Sequence, residues 1–581
     1  MVENGVYHWR NRELREHVAV LDGKVAPTKV LTNGTYLNVY TKQWLTANIW
    51  ILKDRIIYVG EKMPDQITGV ELVDCENRYL VPGYIEPHAH PFQLYNPEEL
   101  AIHAAKFGTT TLVNDNLMWL FLLDKTKAFT LLEEFNKLPV SMYWWARFDS
   151  QTALKDEEAI FNSETVLSWL ENRFVVQGGE LTGWPQLLRG DDRLLYWMQE
   201  ANRLGKPVEG HLPGASEGTL NKMKLLGVTA DHESMTAEEV ISRLRLGYSV
   251  GLRYSSIRPD LPELLEELVS SGINNYENLT MNTDGSTPTF YENGLMNVCI
   301  AIAIEKGVPL EEAYRMATYN VARHFNFDDK LGGIAPGKIA HINILEEKTN
   351  PDPISVLASG EWIKKEQVEQ RVSSNLDWKE HNVGPIEFDW ALSESDLQFS
   401  IPIGLDMVND VIIKPYAIQT DVTLQELPTT NSDAFLLLID RKGKWRVNTT
   451  IRGFTNKLGA IASSYSTTGD MVYIGKNKQD ILLASNRLQE LGGGIVIVHE
   501  GTIIFELPLT LGGIMFDGKM DDLIAKEKEL KQILKNFGYP YGDPVYSILF
   551  LSATHLPFIR ITQRGIVDVK KREVLFPAIM R

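Results

Sequence analysis

Residues 81–90 read VPGYIEPHAH. An apolar run broken by Pro82 and Gly83 finishes on His88 and His90, one residue apart. In a strand, residues i and i+2 share a face, so both imidazoles project from one place at the strand's end. That is half of a metal site. A lone His-x-His is equally compatible with two structural histidines, so the rest of the chain has to supply the other ligands.

Working outward, residues 81 to about 326 alternate short apolar strands with longer helical stretches, the pattern of a parallel sheet covered by helices. Eight segments read as strands: VPGYIEPHAH, TTTLVNDN, VSMYWWARF, VVQGGEL, PVEGHL, TADHES, SVGLRYSS and TMNTDG. Eight βα units predict a (β/α)8 barrel of the TIM type, whose strand C-termini face the active site. Several strands end on polar residues: His88 and His90, Glu180, His211, His232 and Glu233, and Asp284. Singly, each has a bland reading. Glu180 suits a solvated loop, His232 a satisfied core histidine, and Asp284 before Gly285 a turn. Their recurrence at the ends of strands 1, 4, 5, 6 and 8 points instead to one site.

Imidazoles with carboxylates suit Zn(II), Fe(II) or Mn(II). Four histidines, a bridging carboxylate and an aspartate suffice for two ions sharing a hydroxide that is nucleophilic near neutral pH. Glu180 offers two oxygens for a bridge. Asp284 can ligate a metal and take the proton as water attacks.

The flanks read differently. Residues 1–25 predict a polar amphipathic helical segment. Residues 26–80, with alternating β-branched and aromatic residues and the turn signal Asn33-Gly34, pair with 336–375 as a small β-sandwich domain. Residues 81–335 form the barrel, 376–400 a connector, and 401–581 a separate α+β domain.

Bulk properties exclude some functions. A net charge of −18 over 581 residues repels polymeric nucleic acid and anionic membranes. Two cysteines, Cys75 and Cys299, predict a reducing compartment and no disulfide framework. The first residues lack the apolar core of a signal peptide, and no run of about 18 apolar residues predicts a membrane span. A cytoplasmic protein is expected.

PGYIEPHAH, EGHLPG, DHES and TDG, followed by AYRMATYNVARHF and LGGIAPGKIAHINIL, resemble the amidohydrolase superfamily and, within it, the adenine deaminases. LGGGIVIVHEGTIIFELPLTLGGIMFD and FLSATHLPFIRIT are similar to the C-terminal domain particular to adenine deaminases. Many amidohydrolases bridge their metals with a carboxylated lysine on strand 4; the matching residue here is Glu180. The resemblance implies two divalent ions, Mn(II) or Fe(II), with Zn(II) compatible with the same ligands. His88 and His90 would hold one ion and His211 and His232 the other, with Glu180 bridging and Asp284 ligating. The bridging hydroxide would attack C6 of adenine, giving hypoxanthine and ammonia. Glu233 would protonate N1, and Asp284 would pass the hydroxide proton to the leaving amine. For Arg253, orienting the purine and forming a structural ion pair both stay open. The family also implies a homodimer.

Departures from the family pattern concern the pocket. Pro91-Phe92-Gln93 replaces Ile-Glu-Ser, NDNLMW replaces a strand-2 end with Asp-Pro-His-Glu, Asp284-Gly285 replaces Asp-Asp, and SSYSTTGDM replaces a histidine-bearing stretch. Phe92 and Trp119 then predict a more apolar substrate pocket, suited to N6-substituted adenine such as N6-methyladenine. Hydrolysis of a cyclic amide and a non-catalytic purine sensor are the rival readings.

Overall fold

The computed structural model describes residues 9–372 and 376–581; residues 1–8 of the expected N-terminal helical segment, and residues 373–375, lie outside them. Within the described part a helix spans Asn11–Leu21. Its Val20 packs with Trp50, Leu52 and Ile57 on the small sheet. His17 Nδ1 lies 2.8 Å from the Arg55 guanidinium.

The eight expected barrel strands are all present: β1 Tyr84–Ala89, β2 Thr109–Asn114, β3 Ser141–Ala146, β4 Val175–Leu181, β5 Val208–Gly210, β6 Ala230–Asp231, β7 Ser249–Arg253 and β8 Leu279–Asn282. They neighbour one another in sequence order. A parallel bridge between Ala89 and Asp284 closes β8 onto β1. Every residue of β1 to β4 is buried. Parallel strands covered on one side by helices and on the other by the barrel interior need apolar side chains on both faces, so these segments read as runs and not as alternation.

The outer helices show the complementary pattern. In Asp192–Arg203, Leu194, Trp197, Met198 and Ala201 are buried at helical spacing, and the Asp191 side chain caps the N-terminus by accepting from the Arg193 and Leu194 amides. A large apolar side chain buried this way contributes about 1.5–3 kcal/mol. A polar outer face keeps the helix wetted on its other side.

Strands from both flanks of the barrel join one nine-stranded sheet. The seam is Tyr79–Pro82 paired antiparallel with Ile342–Leu345. The sheet wraps around a core that includes Leu31, Ile49, Ile56, Leu80, Ile342 and Leu357. Gly83 links this sheet directly to β1, and a Cβ there would collide with Thr110 Oγ1; only glycine lets the chain pass so close to β2.

The connector contains two short 3-10 turns, Trp378–His381 and Glu394–Leu397. The C-terminal region builds a second nine-stranded sheet, a three-stranded sheet over Ile559–Pro577, and helices Lys478–Leu491, Met520–Asn536 and Pro544–Phe550. One continuous apolar core runs from the barrel into this region, joining for example Leu117 and Leu511. Among the described residues no helix is long and apolar enough to cross a membrane.

Candidate metal centre and active site

Six side chains named from the sequence meet at the C-terminal rim of the barrel. His88 lies on β1 and Glu180 on β4. His90, His211, His232 and Asp284 follow the ends of β1, β5, β6 and β8. Asp284 adopts a left-handed backbone, φ 49°, which aspartate tolerates better than most residues. Glu86 braces the seam where the barrel closes: it accepts hydrogen bonds from the amides of His88 at 2.9 Å and Thr283 at 3.0 Å.

Glu180 stands between two histidine pairs. Its Oε2 lies 3.9 Å from His88 Nε2 and 3.8 Å from His90 Nε2. Its Oε1 lies 2.7 Å from His211 Nδ1 and 3.7 Å from His232 Nε2. Asp284 Oδ1 is 3.0 Å from His90 Nε2 and 3.9 Å from His88 Nε2. Three overlapping sets, His88/His90/Glu180, His88/His232/Asp284 and Glu180/His211/His232, each bring three donor atoms within 4.8 Å of one another.

The residues behind this cluster aim it. Glu209 accepts the Nδ1 hydrogens of His88 at 2.9 Å and His232 at 3.0 Å. Asp115 accepts that of His90 at 2.9 Å and is itself held by Arg147 through contacts of 2.9 and 2.5 Å. Each of these three imidazoles therefore presents Nε2 to the centre, the arrangement by which carboxylates orient metal-binding histidines. Among the described residues, His88 Nε2 and His232 Nε2 are buried without a hydrogen-bond partner, and His211 Nδ1 faces Glu180 Oε1. Orphaned nitrogens aimed at shared carboxylate oxygens fit divalent cations.

The electrostatics agree. Burial opposes charge on Glu180, yet Arg147 and His211 bring its carboxyl well below the usual range. Burial likewise opposes charge on Asp284, and Arg253 with His90 outweighs it. Burial works against a proton on His90 and His232, but Asp115 and Asp284 lift the first to about 9, and Glu209 lifts the second to about 10. The acids thus demand positive charge at the centre, which protons satisfy when no metal does.

Arg253 forms an ion-pair bridge. It contacts Glu233 at 2.7 and 3.1 Å and Asp284 Oδ2 at 2.6 Å. Arg258 adds a 2.6 Å contact to Glu233 Oε2, the oxygen that Arg253 reaches at 3.1 Å. Burial opposes ionisation of Glu233, but Arg253 first, then His211, keeps its pKa below the ordinary value.

A cavity of about 420 Å³ lies over the cluster, walled by the barrel rim on one side and by the C-terminal domain on the other. Phe92 lines it, whereas Trp119 does not. Trp119 is fully buried one layer back, edge-on to Phe92 with ring centroids 4.9 Å apart. Trp378 of the connector stacks behind it at 6.4 Å.

The chain matches the Amidohydrolase family over residues 79–365 and the Adenine deaminase C-terminal domain over residues 412–573. A protein of Oceanobacillus iheyensis named "Putative adenine deaminase OB0751" is 61% identical over 580 residues, covering 100% of both chains. The chain belongs to the adenine deaminase family. A Bacillus cereus adenine deaminase relative, also named as "Putative", is 53% identical over 99% of this chain and 97% of its own. Among solved structures, beta-aspartyl dipeptidase from Fervidobacterium islandicum AW-1 aligns over 59% of this chain and 99% of its own, at 17% identity and a TM-score of 0.46.

Within this adenine deaminase family member, several site residues escape a reading of the motifs alone. Glu209 carried a usable signal: it shares a strand face with His211, two residues on. Asp115 ends β2 in VNDN, where the expectation noted only a departure. Arg147, Arg258 and the C-terminal wall had no local signature.

Proposed function

We infer that this chain hydrolyses adenine to hypoxanthine and ammonia. The observation that carries the reading is Glu180 lying between two histidine pairs under the cavity, in a chain of this family. In this reading His88, His90 and Asp284 would hold one divalent ion and His211 and His232 the other, with Glu180 as their shared carboxylate. Mn(II) or Fe(II) suits the donor set, and Zn(II) shares it. When bound, two such ions make water a nucleophile at neutral pH.

The chain's own groups handle the protons. Asp284, ionised at rest, accepts a proton from the attacking water and delivers it to the departing amine. Glu233 protonates ring N1, which makes C6 more electrophilic. Two guanidiniums hold Glu233 ionised, so it first takes up one of the two protons of the nucleophilic water and gives that one to N1; the other is the proton Asp284 carries to the amine. Arg253 keeps both carboxylates in register, and its pairing with them favours the positioning role over direct contact with the purine. The C-terminal wall keeps bulk water off the reacting carbon. The two buried free thiols, Cys75 and Cys299, suit a reducing, cytoplasmic setting.

A second substrate is favoured by a specific feature. Phe92, Leu117, Met118, Ile514, Leu549 and Phe550 give the cavity an apolar side, which accommodates an alkyl group on the amine. N6-methyladenine would then yield hypoxanthine and methylamine. The test is direct: enzyme loaded with Mn(II) or Fe(II) is assayed on both purines for hypoxanthine. If neither purine yields hypoxanthine, the purine assignment fails.

A further inference from the structure

Two residues of the C-terminal domain that line the cavity each carry a buried polar atom without a hydrogen-bond partner among the described residues: Tyr546 Oη and His555 Nδ1. Tyr546 is 2% exposed and sits on the helix Pro544–Phe550. A Cβ built on Gly285 would lie 2.8 Å from Tyr546 Oη. The absent side chain after Asp284 is therefore what admits the hydroxyl to this edge of the site. His555 lies at the opposite edge, its ring edge-on to His211 with centroids 5.4 Å apart. Phe550 connects the two, stacked on Tyr546 at 5.1 Å and edge-on to His555 at 5.8 Å. The three rings span the cavity from the β8 side to the β5 side.

Buried polar groups are normally paired, and an exception marks a partner that the chain itself lacks. The barrel groups around the cavity are already engaged. Arg253 is taken by Glu233 and Asp284, Arg258 by Glu233 and Asp260, and Gln93 accepts from Tyr465. We propose that Tyr546 and His555 are specificity residues that hydrogen-bond the ring nitrogens of the aminopurine, with Phe550 against the ring face. The inference rests on the aminopurine reading above. A purine presents acceptor nitrogens and one N–H away from its amine. A hydroxyl can donate or accept, and each nitrogen of a neutral imidazole does one or the other. The C-terminal domain thus reads the ring while the barrel rim performs the reaction.

Adenine, 3-deazaadenine and 7-deazaadenine separate the alternatives, because each analogue lacks one ring nitrogen. They are compared on metal-loaded wild type, Tyr546→Phe, His555→Leu and His555→Asn, with metal content measured and hypoxanthine binding followed by calorimetry. Each deletion is expected to lower kcat/KM for adenine by about 10–100-fold and to weaken hypoxanthine binding by a similar factor, at unchanged metal content. For at least one variant the loss should vanish with the analogue that lacks the nitrogen it addresses. His555→Asn, which keeps a hydrogen-bonding group, should recover part of the loss seen in His555→Leu. Equal losses on all three purines, or no loss at all, overturn the proposal and leave the deaminase reading standing. A wild type that neither turns over an aminopurine nor binds hypoxanthine overturns both.

Discussion

The barrel rim and the C-terminal wall enclose one cavity and treat their polar atoms in opposite ways. On the rim, carboxylates and guanidiniums form a closed network: Asp115 with Arg147, Glu209 with two imidazoles, and Arg253 between Glu233 and Asp284. What that network leaves open is a set of nitrogens aimed at a common centre. On the wall, Leu549 and Phe550 stand beside two polar atoms without a partner among the described residues, Tyr546 Oη and His555 Nδ1, while Tyr465 donates to Gln93 of the rim. Charge held in place by charge suits a site that binds cations and moves protons whatever the substrate. Single polar groups in an apolar frame suit recognition of one flat ring.

The largest effect should come from the rim. Asp284→Asn removes the proposed proton carrier and keeps an oxygen donor, so kcat should fall by about 10²–10⁴-fold while metal content stays high. A variant that keeps turning over, measured by ammonia release with metals quantified in the same sample, would break the division of labour. Next comes Glu209→Gln, which replaces the charged acceptor behind His88 and His232. Metal affinity should weaken by about 10–100-fold, read by competition with a chelator; unchanged affinity would mean that the backing carboxylate orients nothing.

Within the rim, Phe92 belongs to the apolar lining and not to the charged network, and Phe92→Ala should move the ratio of N6-methyladenine to adenine kcat/KM by about 10-fold, with metal content unaffected. A change in metal content instead would blur the boundary between charged network and apolar lining.

The smallest effect is on stability. His90 and His232 are lifted to about 9 and about 10 in the metal-free fold, above the unfolded value of about 6.5. Their contribution is therefore fully present below pH 6.5 and is lost as pH rises through 9 and 10. Glu180 and Asp284 are depressed, so theirs is present above about pH 4.5 and is lost as pH falls below it. The metal-free protein should lose Tm between pH 7 and 10. The metal-loaded protein, whose imidazoles carry no proton on Nε2, should hold its Tm across that interval. Parallel curves for the two forms would contradict the assignment of these histidines to the metal centre.

Much of the rim was legible in the chain because a parallel barrel converts sequence position into spatial position. A polar residue at the end of a buried run lands on one edge of the cylinder, so His88, Glu180, His211 and Asp284 could be gathered without coordinates. Trp119 shows the limit. Its aromatic character was visible, but whether it touched the cavity depended on which ring stood in front, and Phe92 does. Arg253 was left open between two roles until its distances to Glu233 and Asp284 were known.

By itself the sequence determined the barrel, the residues that gather on its rim and the family, because periodicity, strand ends and residue chemistry are local properties. The tertiary structure alone decided which nitrogen of each histidine faces inward, which acid sits behind it, and which side chains of a domain some 250 residues downstream roof the cavity. Those are contacts between segments far apart in the chain, and they follow from how the layers pack on one another, a quantity that no single stretch encodes.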